Sequence, residues 1–272
     1  DGALRYARSL GERFAFKINL GYMKGRDWFA DDTTNIRPGN IKWEWDPGHD
    51  GLNQYGDEIV AYLPVGERGE NIPVARTGYK DKFLVDDGVE NLKMNAALHY
   101  RITPDVTAII TGNYGKATTV FAGENRIALR GFELFQSKAE LRGKNFRLYG
   151  YTNQQGAGEA YDTRFLAINL NRAWKSDEKW FSGYENVYLG RYSVYGMASY
   201  DHRVAREFAD GQRLLPGTPS FEEAMDSIIT STDFSEGSRI IDNSKMWETA
   251  GYYAFPEVSL LSGLTVGANY RY

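Results

Sequence analysis

Phe14, Phe16, Ile18, Leu20 and Tyr22 share one parity, and Ala15, Lys17, Asn19, Gly21 and Met23 share the other. Successive side chains of a strand point to opposite faces, so this segment predicts a strand with one apolar and one small or polar face. Leu92, Met94, Ala96, Leu98, Tyr100 and Ile102 repeat the pattern against Asn91, Lys93, Asn95, Ala97, His99 and Arg101. Alternation this long, with Lys, Asn, His and Arg on the second face, suits a wall with lipid on one side and water on the other. Ile18, Leu20, Leu98 and Ile110 are expected on the lipid side, and Lys17, Asn19, Lys93 and Arg101 inside. Eight strands are predicted, over residues 3–9, 14–26, 91–102, 106–116, 131–141, 146–152, 246–255 and 264–272.

The connections alternate between short and long. Leu10-Gly11-Glu12-Arg13, Thr103-Pro104-Asp105 and Arg142-Gly143-Lys144-Asn145 are tight-turn chemistry, and a slightly longer link begins at Pro256. Residues 27–90, 117–130 and 153–245 are expected as long connections, far beyond the usual loop of about 4–6 residues. Up-and-down outer-membrane barrels have this asymmetry, with tight periplasmic turns and long extracellular loops. Within 153–245, Ser220 and Glu223 have capping-box spacing and open a predicted helix. The stretch 195–213 reads as partly helical, with Arg203, Arg206 and Glu207 on exposed positions. Phe165, Leu166, Ile168, Trp174, Trp180 and Phe181 give this connection the apolar content to fold as a compact cap.

Composition agrees with this reading. Mean hydropathy is −0.52, and no run of about 18 apolar residues provides a transmembrane helix. A barrel needs none, because only every second residue meets lipid. The 19 Tyr, 14 Phe and 6 Trp fit aromatic girdles. A net charge of −4 argues against general nucleic-acid binding. The absence of cysteine excludes thiol catalysis and disulfide staples. The chain opens at Asp1 without a basic or apolar leader and reads as a piece of something longer.

Particular segments carry a resemblance. Leu4-Arg5-Tyr6-Ala7-Arg8, Phe14-Ala15-Phe16-Lys17-Ile18-Asn19, Lys24-Gly25-Arg26-Asp27-Trp28 and the run from Asp50-Gly51-Leu52 to Asp57-Glu58 form one group. Gln136-Ser137-Lys138-Ala139-Glu140-Leu141-Arg142-Gly143-Lys144-Asn145-Phe146 and the stretch from Ala205-Arg206-Glu207 to Pro219-Ser220-Phe221 form another. Together they resemble TonB-dependent outer-membrane receptors of the Bacteroidota, of the carboxypeptidase-regulatory-like-plug type. The resemblance implies a barrel of about 22 strands in a Gram-negative outer membrane. It also implies a plug inside the barrel, energy relayed by the TonB inner-membrane complex, and import of a scarce nutrient. A surface lipoprotein lid partners part of that family. This chain would supply about eight strands, as one part of a transmembrane barrel domain, with long extracellular loops near 27–90 and 153–245 and no plug. Eight strands alone would leave two unpaired edges in lipid, where unsatisfied backbone groups are expensive.

Candidate chemistry is sparse. Residues 27–90 carry fourteen acidic and six basic side chains. Asp46, Asp50 and Asp57 fall at positions one, five and twelve of a calcium-type loop, with Gly51 at the sixth. Gly48 at the third position departs from the EF-hand pattern, so a solvated acidic turn competes with calcium there. Trp43 and Trp45 share one face of an extended segment and, with Tyr55, offer a platform for a ligand. The cargo classes left open are a small molecule, a glycan or a peptide. His49, His99 and His202 are far apart in sequence, and no nucleophile elbow, His-Glu-x-x-His or phosphate-cradling loop occurs, so catalysis is not expected. Two rival readings are a small self-contained barrel with a structural or adhesive role, and an outer-membrane hydrolase. A histidine meeting a carboxylate at the rim would favour the hydrolase.

Overall fold

The computed structural model describes residues 1–37, 46–123, 126–192, 200–255 and 264–272. Eight long strands form one antiparallel sheet: β1 (Gly2–Leu10), β2 (Phe14–Arg26), β3 (Gly88–Thr103), β4 (Val106–Ala122), β5 (Arg126–Arg142), β6 (Phe146–Gly156), β7 (Lys245–Ala254) and β8 (Thr265–Arg271). Each pairs with its neighbours in chain order, an up-and-down meander. The expected strands are all present. Among the described residues β1 and β8 do not pair, so the sheet is open there.

Register follows the alternation. Ile18 faces Ala96, Leu20 faces Met94, and Leu98 faces both Phe16 and Ile110, so the apolar set shares one face. Nothing in the described structure covers it: Leu98 is 43 % exposed and Ile110 61 %. The other face carries a polar row across six strands, Arg5, Asn19, Asn95, Asn113, Gln136 and Asn153. Asn19 Nδ2 donates to Asn95 Oδ1, and Asn95 Nδ2 to Asn113 Oδ1, each at 2.6 Å. On the same face, near the tight-turn end, the buried Glu140 carboxylate meets Lys138 at 2.5 Å, Arg142 at 2.7 Å and Arg147 at 3.0 Å. Glu248 pairs with Arg271 at 2.7 Å.

One expected loop is strand instead. Residues 117–122 and 126–130 continue the β4–β5 hairpin, because Thr118, Thr119 and Val120 are β-branched and a register shift between Ala117 and Thr119 absorbs the extra residue. Gly131, at φ +68°, donates its amide to Thr118 Oγ1 at 3.1 Å on the opposite side of the shift. Such a bulge bends its strand and strengthens local twist. The hairpin tip therefore reaches up into the loops, where Tyr161 and Asp162 pair with Ala128 and Ile127.

The two remaining long connections leave from the same end of the meander and fold together as a cap. Helices α1 (Thr163–Trp174), α2 (Asp177–Tyr188), α3 (His202–Ala209) and α4 (Pro219–Thr230) come from the second. The first supplies two small ladders, Val60–Leu63 with Ile72–Ala75 and Gln54–Tyr55 with Tyr79–Lys80. The α4 cap is Thr218, whose side chain accepts from the Phe221 amide, with Pro219 opening the helix. The cap falls two residues before the expected Ser220, because proline at the first helical position needs no amide partner. The part of the 195–213 reading that falls on residues 195–199 lies outside the described residues, as does the link beginning at Pro256.

The hydrophobic core sits in the cap. One cluster joins Tyr55, Tyr79, Leu84, Tyr161, Leu166, Leu170 and Phe221, reaching Ala128 at the hairpin tip. A second joins Leu63, Val65, Val74, Trp180, Tyr184, Val187 and Ala205. Gly158 seats this assembly. Its φ is +64°, and a Cβ there would collide with the Arg130 and Gly131 carbonyl oxygens, while the next amide, Glu159, bonds the Arg130 carbonyl at 2.8 Å. Gly158→Ala is expected to destabilise the cap by about 1–3 kcal/mol and to lower hydrogen-exchange protection at the Glu159 amide. Gly131→Ala, where a Cβ meets only the end of Lys116, should cost less on the same measurement.

Candidate functional site

The two long connections meet around a cavity of about 370 Å³, lined by Pro47, His49, Arg76, Thr77, Tyr79, Lys80, Phe83, Tyr184, His202, Arg203, Arg206 and Arg213 among others. Guanidinium groups from the second connection bind backbone carbonyls of the first. Arg206, expected on an exposed position, turns inward: Nη1 donates to Ala75 O at 3.0 Å and Thr77 Oγ1 at 3.1 Å, and Nη2 to Pro47 O at 2.9 Å. Arg213 Nη2 donates to Gly78 O at 2.7 Å while its guanidinium lies 3.9 Å from the centre of the Tyr79 ring. Carbonyls in irregular backbone lack ladder partners, and arginine's fork of donors satisfies several at once.

Arg76 is fully buried and pairs with Asp177 at 2.5 Å, donating also to Lys175 O and Asn171 O. Asp210 accepts from Thr77 Oγ1 at 2.6 Å and from Trp180 Nε1 at 2.9 Å. His202 Nδ1 shares a hydrogen bond with Tyr184 OH at 2.8 Å, and its ring stacks on Tyr188. Burial, with Arg206 nearby, holds the His202 pKa below its usual value. His49 is lowered by burial too, partly offset by Asp46. Both imidazoles are therefore neutral at pH 7. His202 has a phenol as its hydrogen-bonded neighbour, and burial pushes the Tyr184 phenol up, away from ionisation.

Beside the cavity lies the acidic turn. Asp46 accepts from Asn35 Nδ2 at 2.8 Å and the Gly48 amide at 2.9 Å. Asp50 is buried and pairs with Arg37 at 3.0 Å. Asp57 is fully buried, and its Oδ2 accepts from the Gly51 amide at 3.0 Å and Gln54 Nε2 at 2.8 Å. The three carboxylates thus belong to one turn, but each is engaged with its own donors. Among the described residues no group of three or more His, Asp or Glu side chains is placed to hold a metal ion. Tyr55 turns inward, 8 % exposed, in the core cluster with Tyr79 and Phe221. It is mortar within the cap, because a ring in an extended ladder alternates inward with its neighbours. Trp43 and Trp45 lie outside the described residues.

The cationic cavity was not legible in sequence, since its charges come from positions 76–80 and 203–213, more than a hundred residues apart. Arg203, Arg206 and Arg213 in one short stretch were the available signal. No protein-family model matches this chain, and comparisons with curated proteins and with solved structures return no match.

Asp57 is the strongest electrostatic outlier of the cap. Burial, reinforced by Glu58 and Asp50, raises its pKa to about 8 against the opposing Gly51 amide. The folded protein keeps a proton that the unfolded chain releases near pH 4, so this group's contribution to stability is complete below about pH 4 and is lost as pH rises to about 8. Asp57→Asn, which keeps an acceptor for Gly51, is expected to flatten the cap's stability between pH 4 and 8. Thermal unfolding followed by Trp180 fluorescence across that range checks it, and an unchanged slope would show that Asp57 is already ionised.

Proposed function

We propose that this chain is part of the barrel wall and extracellular cap of a TonB-dependent outer-membrane receptor that imports a scarce nutrient. The observation that carries the reading is the eight-strand meander whose apolar face has no core against it. A contiguous exposed apolar surface larger than a few hundred Å² marks an interaction or membrane surface. Here it spans every strand from Leu4 and Tyr6 through Leu98, Ile110 and Phe135 to Leu148 and Val266. The opposite face, with its Asn row and ion-paired Glu140, suits a hydrated lumen. Both cap-forming connections leave from one end, as extracellular loops do. The unpaired edges of β1 and β8 favour continuation into a larger barrel over closure on itself.

In this reading lipid covers the apolar face, and a plug supplied by other parts of the receptor fills the lumen. The TonB complex supplies energy through that plug. The cap takes part in recognising the cargo, alone or beneath a lipoprotein lid.

Two measurements test it. Leu98→Arg is expected to weaken folding into bilayers by about 2–4 kcal/mol, while Ile109→Arg, on the opposite face beside Glu140, costs less than about 1 kcal/mol. Equal costs would overturn the membrane assignment. The intact mass of the native protein in outer-membrane extracts should be several times the 30.8 kDa of this sequence. A mass near that value would leave a small barrel with a structural or adhesive role.

A further inference from the structure

The cavity between the two long connections has an unbalanced charge. Its lining holds five Lys or Arg side chains against one carboxylate, Asp46. Three of the cations have carboxylates of their own: Arg76 with Asp177, Lys80 with Asp31 at 3.4 Å, and Arg203 with Asp201 at 3.0 Å. Arg206 and Arg213 do not. Among the described residues both bind only neutral oxygens, the Pro47, Ala75 and Gly78 carbonyls and the Thr77 hydroxyl. Asp210 is linked to Arg206 only through Thr77, and its two oxygens already serve Thr77 and Trp180. The Nε of Arg213 is buried with no hydrogen-bond partner.

Carbonyl dipoles orient a guanidinium without neutralising it, and two half-buried guanidinium groups lining one concavity favour an anion there. An unmade donor in a buried position is itself costly. Carboxylates and phosphates match the planar fork of arginine. Aromatic rings form part of the wall: Phe83 and Tyr184 line the cavity, and Tyr79 stacks under Arg213. The volume is that of a pocket for a small organic molecule.

We propose that this cavity binds a small organic oxyanion, a carboxylate or a phosphate ester, whose charge is met by Arg206 and Arg213 and whose apolar body lies against Phe83 and Tyr184. As a statement about cargo this rests on the import reading; as a binding site it stands without it. Neutral His49 and His202 contribute polar, uncharged edges to the same wall. Asp50, Asp81 and Glu58 of the acidic first connection are engaged elsewhere, with Arg37, Arg126 and Arg164.

The test is calorimetric titration of the intact membrane-extracted protein with phenyl phosphate, benzoate and the neutral phenyl β-glucoside. At least one anion is expected to bind at one site, tenfold or more tighter than the glucoside, and to weaken as salt rises. Arg213→Gln should reduce that affinity at least tenfold, while its melting midpoint falls only by the loss of the single Gly78 carbonyl bond. Arg213→Lys, which keeps the charge and loses the fork, should lose less. Arg206→Gln should also weaken binding, but it removes three cap contacts where Arg213→Gln removes one, so the Arg213 pair decides. Equal binding of the glucoside, unchanged affinity in Arg213→Gln, or no saturation by either anion would overturn the site. The best-binding anion is then followed into cells. Binding without TonB-dependent uptake would overturn the import reading and leave the site; uptake of a neutral cargo without anion binding would do the reverse.

Discussion

Among the described residues the sheet has no core of its own, and everything else is arranged around that fact. Eight strands satisfy each other's backbone groups in continuous ladders, yet only a few of their side chains, such as Ala128, Glu140, Thr152 and Ala250, are buried. A soluble sheet gains stability by packing one face on a second layer. Here one face is apolar and bare, and the other is polar and bare. The arrangement suits surroundings that differ on the two sides, apolar against one and polar against the other. This constraint, more than any single residue, supports the outer-membrane reading.

The cap solves a different problem. Two long segments must fold far from the sheet, and they do so by sharing hydrophobic clusters and by exchanging charge. Arg126 at the hairpin tip reaches the fully buried Asp81 of the first connection at 2.9 Å, and Asp81 also accepts from the Ala30 amide. Tyr161 bonds the Leu84 carbonyl at 2.8 Å and lies beneath Arg130. Asn171 of α1 holds the Gly56 and Thr77 carbonyls. The β4–β5 hairpin, lengthened by its bulge, is thus the post on which the cap stands. The same guanidinium–carbonyl bonding that joins the connections leaves Arg206 and Arg213 without counter-charges among the described residues, so the proposed recognition surface and the structural joint are one set of residues.

The eight strands, their faces and their tight turns were legible in the sequence because strand alternation has a period of two and every connection at one end is short. The sequence also identified the α4 region and a compact cap. Misplaced were the 117–130 segment, the exact cap of α4 and the outward direction assigned to Arg206. Each depends on something non-local: a bulge completed across strands, a proline whose role is set by where the chain enters, and carbonyls donated by residues 47 and 75. Spacing alone groups Asp46, Asp50 and Asp57, but it does not say that Asn35, Arg37 and the Gly51 amide engage them. What the sequence by itself determined was the two-faced wall, since side-chain parity follows from strand geometry alone. What only the tertiary structure decided was the cap and its cationic cavity, since their contacts join residues with no periodic relation along the chain.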